Sequence, residues 1–243
     1  MFGLFSKKDT IERSGIMNGL VDLHTHILPS VDDGSKSLEE SLAIMSRYEE
    51  LGVKRLILTP HVMEDLPMNR APYLREQFEL FRAEYQGDIE ISLGAEYMID
   101  AGLSRHLESD DLLTLWDSHV LLETSYFDSA MNLRQTISDV MSRGYFVILA
   151  HPERYGYMDD EDYQELKEMR VLFQMNLLSI TGAYGEGAIC ASQKLLKSGS
   201  YDLLGSDIHR LGFHDRSYRE AKIAKRYLDL IEDVKGRSEE YFR

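Results

Sequence analysis

Short apolar runs alternate with longer amphipathic stretches along most of the chain, a pattern typical of parallel strands joined by crossover helices. Seven runs predict strands, over residues 20–23, 54–58, 89–93, 120–122, 145–149, 171–175 and 202–204. The amphipathic stretches predict helices over residues 38–51, 73–85, 131–142, 161–170, 186–197 and 218–230. Repeated strand-then-helix units indicate an α/β fold, with a (β/α) barrel of about seven strands favoured over an open doubly wound sheet.

Local signals support the first of these helices and a single folded unit. Ser37 and Glu40 have the S-x-x-E spacing of a capping box, and Gly52 stands where a helix C-cap is expected. A hydrophobic fraction of 43% over 243 residues fits one domain, and no Pro-, Gly- or Ser-rich linker divides it. We therefore expect one domain over residues 19–243, preceded by a flexible N-terminal extension over residues 1–18.

Composition narrows the partners and the compartment. Against 42 Asp and Glu there are only 27 Lys and Arg, a net charge of −15, which disfavours nucleic-acid binding because that affinity depends on cations at phosphates. The N-terminal apolar patch is too short for a secretory signal, and no apolar run approaches the roughly 20 residues of a membrane span. A single cysteine, Cys190, fits a reducing compartment. We expect a cytoplasmic protein with no integral membrane segment and no nucleic-acid partner.

Histidines and carboxylates follow six of the seven predicted strands. They are His24, His26, His61, Glu96, Glu123, His151, Asp207 and His209, and Asp33 lies in the loop after the first strand. In a barrel the carboxyl ends of the strands converge on one mouth, so these residues should meet. Imidazoles and carboxylates without thiolates are the ligands of hydrolytic Zn, Mn or Fe sites. Because several carboxylates would repel one another without cations, the sequence predicts a multinuclear metal site.

At this point the chain resembles a known superfamily. The segments VDLHTHILPSVDDGS, LTPHV, GAEY, LLETS, AHPERY and GSDIH resemble successive motifs of the PHP (polymerase and histidinol phosphatase) superfamily. Within it they are most similar to the manganese-dependent protein-tyrosine phosphatases encoded with capsular and exopolysaccharide genes. The resemblance covers about residues 20–230. It implies a distorted, TIM-like (β/α)7 barrel that hydrolyses phosphotyrosine with a metal-activated hydroxide, on an autophosphorylated bacterial tyrosine kinase.

The resemblance also implies how two to three divalent ions are held. In this arrangement one ion is bound by His24, His26, Glu96 and Asp207. Glu96 also reaches a second ion, which Glu123 and His151 bind. A third ion is bound by Asp33, His61 and His209. Asp32 adjoins Asp33 and could exchange roles with it, although the spacing from the H-x-H motif favours Asp33. Oxygen ligands at Asp33 and Glu123 fit Mn or Mg, so Mn is expected, with Fe, Zn and Mg as alternatives.

Arg154, three residues after His151, is implied to bind the phosphate, because guanidinium can make two parallel hydrogen bonds to it. The resemblance places Arg154, Asp207 and His209 among the catalytic residues. The alternative for Arg154 is a surface ion pair with Asp159 or Asp160. A second phosphate contact could come from Arg210 or Arg216, or His214 could replace it, since this region departs from the family pattern.

Other functions stay open at this stage. The same site could hydrolyse a small phosphomonoester such as histidinol phosphate, or the barrel could be a non-catalytic binding protein stabilised by metals. A cysteine-dependent phosphatase is excluded, because its C-x5-R motif would need Arg where Leu196 stands, and Cys190 is expected to be a small core residue. The loop over residues 179–187, which contains Tyr184, is either part of a substrate rim or an ordinary connection.

Overall fold

A computed structural model describes residues 7–109, 111–127 and 133–242. Its strands are β1 (Lys8–Asp9), β2 (Val21–Thr25), β3 (Arg55–Leu58), β4 (His61–Val62), β5 (Glu90–Leu93), β6 (Glu96–Met98), β7 (His119–Glu123), β8 (Phe146–Ala150), β9 (Leu172–Asn176), β10 (Leu203–Gly205) and β11 (Ile223–Ala224). Each of the seven predicted strands corresponds to one of these, shifted by one or two residues. The α/β class is therefore confirmed.

The helices are α1 (Ile11–Ser14), α2 (Leu38–Leu51), α3 (Ala71–Glu84), α4 (Leu103–Ser109), α5 (Leu133–Ser142), α6 (Asp160–Glu168), α7 (Gly185–Ser198), α8 (Leu211–Glu220) and α9 (Lys225–Glu240). Helix α2 has the predicted bounds. The Ser37 hydroxyl accepts from the Glu40 backbone N–H, and Gly52 adopts the left-handed conformation with φ of 81°. The Glu40 carboxylate accepts from the Lys36 N–H instead of closing the predicted capping box on Ser37.

The parallel strands form two sheets that are connected to each other. Pairing runs β2–β3–β5 in one sheet and β4–β6–β7–β8–β9–β10 in another. Strand β4 continues the path of β3 after a break of two residues, and β6 continues the path of β5 in the same way. Where β5 ends, the Gly94 N–H donates to the Leu58 carbonyl at the end of β3, at 2.8 Å. A parallel bridge between Thr25 and Ile208 links β2 to the chain after β10. This order is compatible with the predicted distorted (β/α)7 barrel.

The residues before the barrel differ from the expectation of a flexible extension over 1–18. Residues 1–6 lie outside the described chain, but β1 pairs antiparallel with β11, and α1 follows with its N-cap Thr10. The side chains of Ile11, Ile16 and Met17 are almost completely buried in the main core. Apolar burial at these positions favours packing over solvation, so residues 8–18 are a packed part of the fold.

Three further expectations need correction or lie partly outside the described residues. The helix predicted over 218–230 is two helices, because the chain is extended at Ala221 and forms β11 before α9 begins. The start of the helix predicted over 131–142 lies outside the described residues. Cys190 is exposed on α7 and is not a core residue, because it lies on the solvent side of that helix. None of the described helices combines the length and apolar character needed to cross a lipid bilayer.

Candidate metal centre

The nine side chains predicted to bind metal lie together at the carboxyl ends of the parallel strands. The strand register itself brings several of them close, since His61 is paired with Glu96, and Met98 is paired with Glu123. Four overlapping groups have ligand atoms within 4.8 Å of one another: His24, His26 and Asp207; His24, Glu96 and His151; His61, Glu96 and Glu123; and His26, Asp33, His61 and His209. The strands therefore gather residues that are up to 185 positions apart in the sequence.

The buried carboxylate of Glu96 lies at the middle of this centre. Its Oε2 atom is 3.1 Å from His24 Nε2, 3.3 Å from His26 Nε2 and 3.1 Å from His61 Nδ1. Its other oxygen, Oε1, is 3.2 Å from His151 Nε2. Each Glu96 oxygen thus faces a different set of imidazoles, which is the arrangement of a carboxylate shared between two neighbouring sites.

Asp207 divides its two oxygens between the centre and its surroundings. Oδ1 lies 3.4 Å from His24 Nε2 and 3.3 Å from His26 Nε2, inside the ligand cluster. Oδ2 accepts from Arg154 Nη1 at 2.6 Å and from Asn176 Nδ2 at 2.9 Å. The carboxylate is therefore held in place by two donors while one oxygen stays directed to the histidines.

The two neighbouring aspartates after β2 have different environments. Asp33 is mostly exposed, and its Oδ1 lies 3.3 Å from His209 Nε2 and 3.5 Å from His61 Nε2. Asp32 is buried, and its Oδ2 accepts from His26 Nδ1 at 2.9 Å and from the His61 backbone N–H at 3.0 Å. Asp33 thus faces the centre together with His61 and His209, whereas Asp32 contacts one of the histidines from outside.

Hydrogen bonds from outside the cluster determine which nitrogen of His24 and of His26 faces inward. The Gln174 Oε1 accepts from His24 Nδ1 at 2.9 Å, and Asp32 accepts from His26 Nδ1. With Nδ1 as the outward donor, Nε2 is the nitrogen of each ring that could offer a lone pair to a cation, and the two Nε2 atoms are 3.1 Å apart. Gln174 carries no metal-ligand chemistry of its own, and nothing in the sequence pattern pointed to it.

Unusual backbone geometry occurs at two of the predicted ligands. His151 has φ of 33° and Asp207 has φ of 55°, both in the left-handed region that residues with a side chain rarely adopt. A close approach also requires Gly205 in β10, because a Cβ there would lie 2.7 Å from His24 Cβ and 2.8 Å from Gln174 Nε2. The surrounding fold holds these strained positions next to the cluster.

Charges within the centre raise the pKa values of histidines and lower the pKa of the central carboxylate. Burial lowers the pKa of His24, but the Glu96 and Asp207 carboxylates outweigh burial and raise it above 6.5. Burial and the neighbouring His26 also lower the pKa of His61, but the Glu96 and Glu123 carboxylates outweigh them and raise it to about 10. Although burial favours its neutral form, the pKa of Glu96 lies well below its ordinary value because His24 and His61 are adjacent. Without cations, protonated imidazoles balance the carboxylates.

The donor set fits divalent cations. Glu96 Oε2 and His61 Nδ1 lie 3.1 Å apart, and both are buried without a hydrogen bond of acceptable geometry. Buried polar atoms normally have partners, and atoms that converge without one are the expected feature of a metal site. Nitrogen and oxygen donors without sulfur match Mn, Fe, Zn or Mg chemistry, and a cation here would replace the protons that otherwise balance the carboxylates.

Arg154 lies at the edge of this centre, in the loop after β8. Its side chain is 17% exposed and forms its ion pair with Asp207, not with Asp159 or Asp160. Its guanidinium also contacts the rings of Tyr126 and Tyr184. The sequence pattern gave no signal for Tyr126, although it follows directly after the LLETS motif that carries Glu123.

A cleft of about 400 Å³ opens above the cluster. Its lining includes the predicted ligands Asp33, His61, Glu123, Asp207 and His209, together with Arg154 and the apolar side chains of Met63, Leu66, Met98 and Tyr126. The carboxylate of Asp65 also lines the cleft, so charged and apolar side chains are both present in its lining. A ligand with an anionic head and a hydrophobic body could use both kinds of surface.

The other candidates for phosphate binding are not among the residues that line this cleft. Arg210 Nη1 donates to the Gly34 carbonyl and lies 3.5 Å from the Glu40 carboxylate, while Arg216 is exposed on α8. His214 is buried, with its ring nitrogens 3.2 Å from the Arg210 carbonyl and 3.3 Å from the Ser206 carbonyl. A second phosphate contact, from Arg210, Arg216 or His214, stays a prediction.

Comparison with known proteins gives consistent matches. A family model for capsular polysaccharide synthesis, CpsB/CapC, matches residues 20–233. The tyrosine-protein phosphatase CpsB of Streptococcus pneumoniae is 28% identical over 221 residues, covering 86% of this chain and 91% of that protein. The tyrosine-protein phosphatase YwqE of Bacillus subtilis (strain 168) is 26% identical over 208 residues, covering 83% of this chain and 82% of its own.

A solved structure supports the fold. It comes from crystal structures of YwqE from Bacillus subtilis and CpsB from Streptococcus pneumoniae, described as unique metal-dependent tyrosine phosphatases. The TM-score is 0.75 at 23% sequence identity, and the match covers 88% of this chain and 87% of the other. At that level of identity the similarity establishes a shared architecture.

Proposed function

Because the chain belongs to the CpsB/CapC family of capsular polysaccharide synthesis proteins, we propose that it is a metal-dependent protein-tyrosine phosphatase, a phosphoric monoester hydrolase. The observation that carries this proposal is the convergence of nine imidazole and carboxylate side chains at the mouth of the barrel, next to Arg154. The proposed substrate is a phosphotyrosine protein, and specifically the autophosphorylated tyrosine kinase of a capsule or exopolysaccharide system.

We further propose that the centre holds two to three divalent cations, Mn²⁺ first among them. His24, His26, Glu96 and Asp207 would form one site; Glu96, Glu123 and His151 a second; and Asp33, His61 and His209 a third. Such cations would neutralise the phosphoryl oxygens and lower the pKa of water, which supplies the nucleophile. The separate hydrogen bonds to Asp32 and Gln174 support the orientation of His26 and His24 for this role.

Arg154 would bind the phosphoryl group. Arg154 donates to Asp207 through Nη1 alone. Because a guanidinium has five N–H donors in a planar fork, further donors are available to an anion. Burial of the guanidinium strengthens such a contact, because a charge–charge interaction is weaker where water screens it. Arg154 is also the only arginine among the described residues that line the cleft.

The cleft also suits an aryl phosphate. Met63, Leu66, Met98 and Tyr126 provide apolar surface for a phenyl ring, and the predicted metal ligands and Arg154 in the same lining would bind the phosphoryl group. A phenolate leaving group has a pKa near 10, below that of an alkyl alcohol, so protonation by a general acid is less necessary. The geometry therefore favours phosphotyrosine over an alkyl phosphomonoester.

Hydrolysis assays on purified protein test this function. With added Mn²⁺, we expect release of phosphate from a phosphotyrosine peptide, loss of activity with EDTA, and at least a tenfold lower kcat/KM for Arg154→Ala. Arg134→Ala is the matched control, since Arg134 forms ion pairs with Asp162 and Glu165 far from the cleft and should leave kcat/KM unchanged.

Two results would contradict the proposal. Exclusive turnover of histidinol phosphate would assign the same centre to a small phosphomonoester. No hydrolysis of any phosphomonoester, together with loss of folding in His24→Ala, would indicate a non-catalytic protein in which metals only stabilise the barrel.

A further inference from the structure

Three consecutive strands contribute loops that meet at Arg154. Tyr126 follows β7, Arg154 follows β8, and Tyr184 lies between β9 and α7. The guanidinium carbon of Arg154 is 4.5 Å from the centre of the Tyr126 ring and 4.1 Å from the centre of the Tyr184 ring. These distances are within the range of cation–π contacts. We call Tyr126 and Tyr184 the aromatic clamp.

The clamp and Asp207 act on different parts of the guanidinium. Asp207 Oδ2 accepts from Nη1 in the guanidinium plane, whereas the tyrosine rings contact the guanidinium over their own faces. Together these contacts fix both the position and the tilt of the Arg154 group. An arginine side chain without such contacts loses more rotamer freedom when it orders on a ligand.

The hydroxyl groups of the clamp connect it to the ligand carboxylates. Tyr126 Oη donates to Glu123 Oε2 at 3.3 Å. Tyr184 Oη lies 3.5 Å from Asn176 Nδ2, which donates to Asp207 Oδ2 at 2.9 Å. Both rings are therefore anchored beside residues of the metal centre.

From this arrangement we propose that Tyr126 and Tyr184 are positioning residues, which hold the Arg154 guanidinium preorganised for the phosphoryl group. This rests on the proposed function, in which Arg154 binds the phosphoryl group. Preorganisation removes part of the ordering cost of binding, so loss of a ring should weaken phosphate binding without removing the metals. The clamp thus acts through Arg154 and need not touch the phosphate.

Binding of inorganic phosphate to the Mn²⁺-loaded protein tests this directly by calorimetry. We expect Tyr126→Leu and Tyr184→Leu each to raise Kd about fivefold, the loss expected for one partly buried cation–π contact. Tyr126→Phe and Tyr184→Phe keep the ring and should bind within about twofold of the unmodified protein. Elemental analysis should give the same Mn content for all four variants, and KM for a phosphotyrosine peptide should rise more than kcat falls.

The control and the coupling experiment separate positioning from general packing. Tyr157 lies in the loop that follows Arg154 and stacks on Tyr155 with ring centres 6.0 Å apart, so Tyr157→Leu should leave phosphate affinity unchanged. In an Arg154→Ala background, the leucine substitutions in the clamp should have no additional effect, because the group they position is gone.

The outcomes distinguish this inference from the proposed function. If the protein binds phosphate with this pattern but does not hydrolyse phosphotyrosine, the proposed function fails and the clamp stands. If Tyr184→Leu and Tyr126→Leu bind phosphate as the unmodified protein does, or weaken it equally when Arg154 is absent, the clamp is overturned whatever the substrate.

Discussion

At the scale of single residues, side chains that bind no metal decide the chemistry of those that would. Gln174 and Asp32 each accept a hydrogen bond from the Nδ1 atom of a histidine, which leaves Nε2 as the inward-facing lone pair. Gln174 Oε1 also lies 3.3 Å from the His151 backbone nitrogen, and is therefore close to two predicted ligands. Groups of this kind typically change metal affinity by one to two orders of magnitude.

Replacing Gln174 tests this role. We expect Gln174→Leu to weaken Mn²⁺ binding about 10- to 100-fold, because His24 loses the acceptor that fixes its tautomer. Titration calorimetry with Mn²⁺ measures the effect. Gln164→Leu on the exposed face of α6 is the control, and equal affinities for the two variants would contradict the assignment.

His214 instead affects how the free energy of unfolding depends on pH. Burial outweighs the neighbouring carboxylate and lowers its pKa to about 4, whereas the unfolded chain has a value near 6.5. Between these values the unfolded chain binds a proton that the folded chain does not, so falling pH favours unfolding. The contribution amounts to about 2 kcal/mol lost between pH 7.5 and pH 5.

Urea unfolding with EDTA present measures this loss. The free energy of unfolding of the unmodified protein should fall more steeply with decreasing pH than that of His214→Gln, by about 2 kcal/mol over the same interval. EDTA keeps the predicted metal ligands in the same state in both proteins. Parallel pH profiles would show that His214 is not held neutral by burial.

At the scale of elements, the first residues of the described chain connect several helices and strands. Strand β1 pairs with β11, and the Lys225 N–H donates to the Lys7 carbonyl at 2.8 Å. Arg47 on α2 forms ion pairs with Glu12 on α1 and with Asp215 on α8. Helix α1 therefore connects to both helices, and its apolar side chains continue the core.

A core substitution tests whether this segment contributes to stability. We expect Ile11→Ala to lower the free energy of unfolding by about 2–5 kcal/mol, since it removes a fully buried side chain and leaves a cavity. Leu80→Ala, on the exposed side of α3, should change it by less than about 0.5 kcal/mol. Denaturant unfolding compares the two, and equal effects would mean that the N-terminal packing adds no stability.

At the scale of the whole molecule, the binding of cations should be coupled to folding. The chain carries 15 excess negative charges, and its densest group of buried carboxylates and imidazoles lies where strands from the whole sequence meet. A cation that binds only the folded chain stabilises it by mass action. Because the ligands come from six strand ends, this stabilisation extends to the complete barrel.

Thermal unfolding with and without Mn²⁺ measures the coupling. At a Mn²⁺ concentration 100 times its dissociation constant, one site should add about 2.7 kcal/mol to the free energy of unfolding, and EDTA should reverse the gain. Glu96→Gln should lose most of this gain, because Glu96 lies between two ligand groups. Glu64→Gln, exposed on the surface, should retain it. A gain that is the same in both variants would place the cation elsewhere.

The sequence by itself determined the properties that depend on neighbouring positions. Hydrophobic period and caps predicted seven of the described strands and most of the described helices, but not β1, β4, β6 or β11. The residues that follow the predicted strands gave the candidate ligands, since the carboxyl ends of parallel strands converge wherever such strands form. Only the tertiary structure decided contacts between distant segments. Examples are the hydrogen bond of Gln174 to His24, 150 positions apart, the ring contacts of Tyr126 and Tyr184 with Arg154, and the pairing of β1 with β11 that divides the predicted last helix. The local sequence pattern cannot specify such contacts, because their energy depends on which surfaces the folded chain brings together.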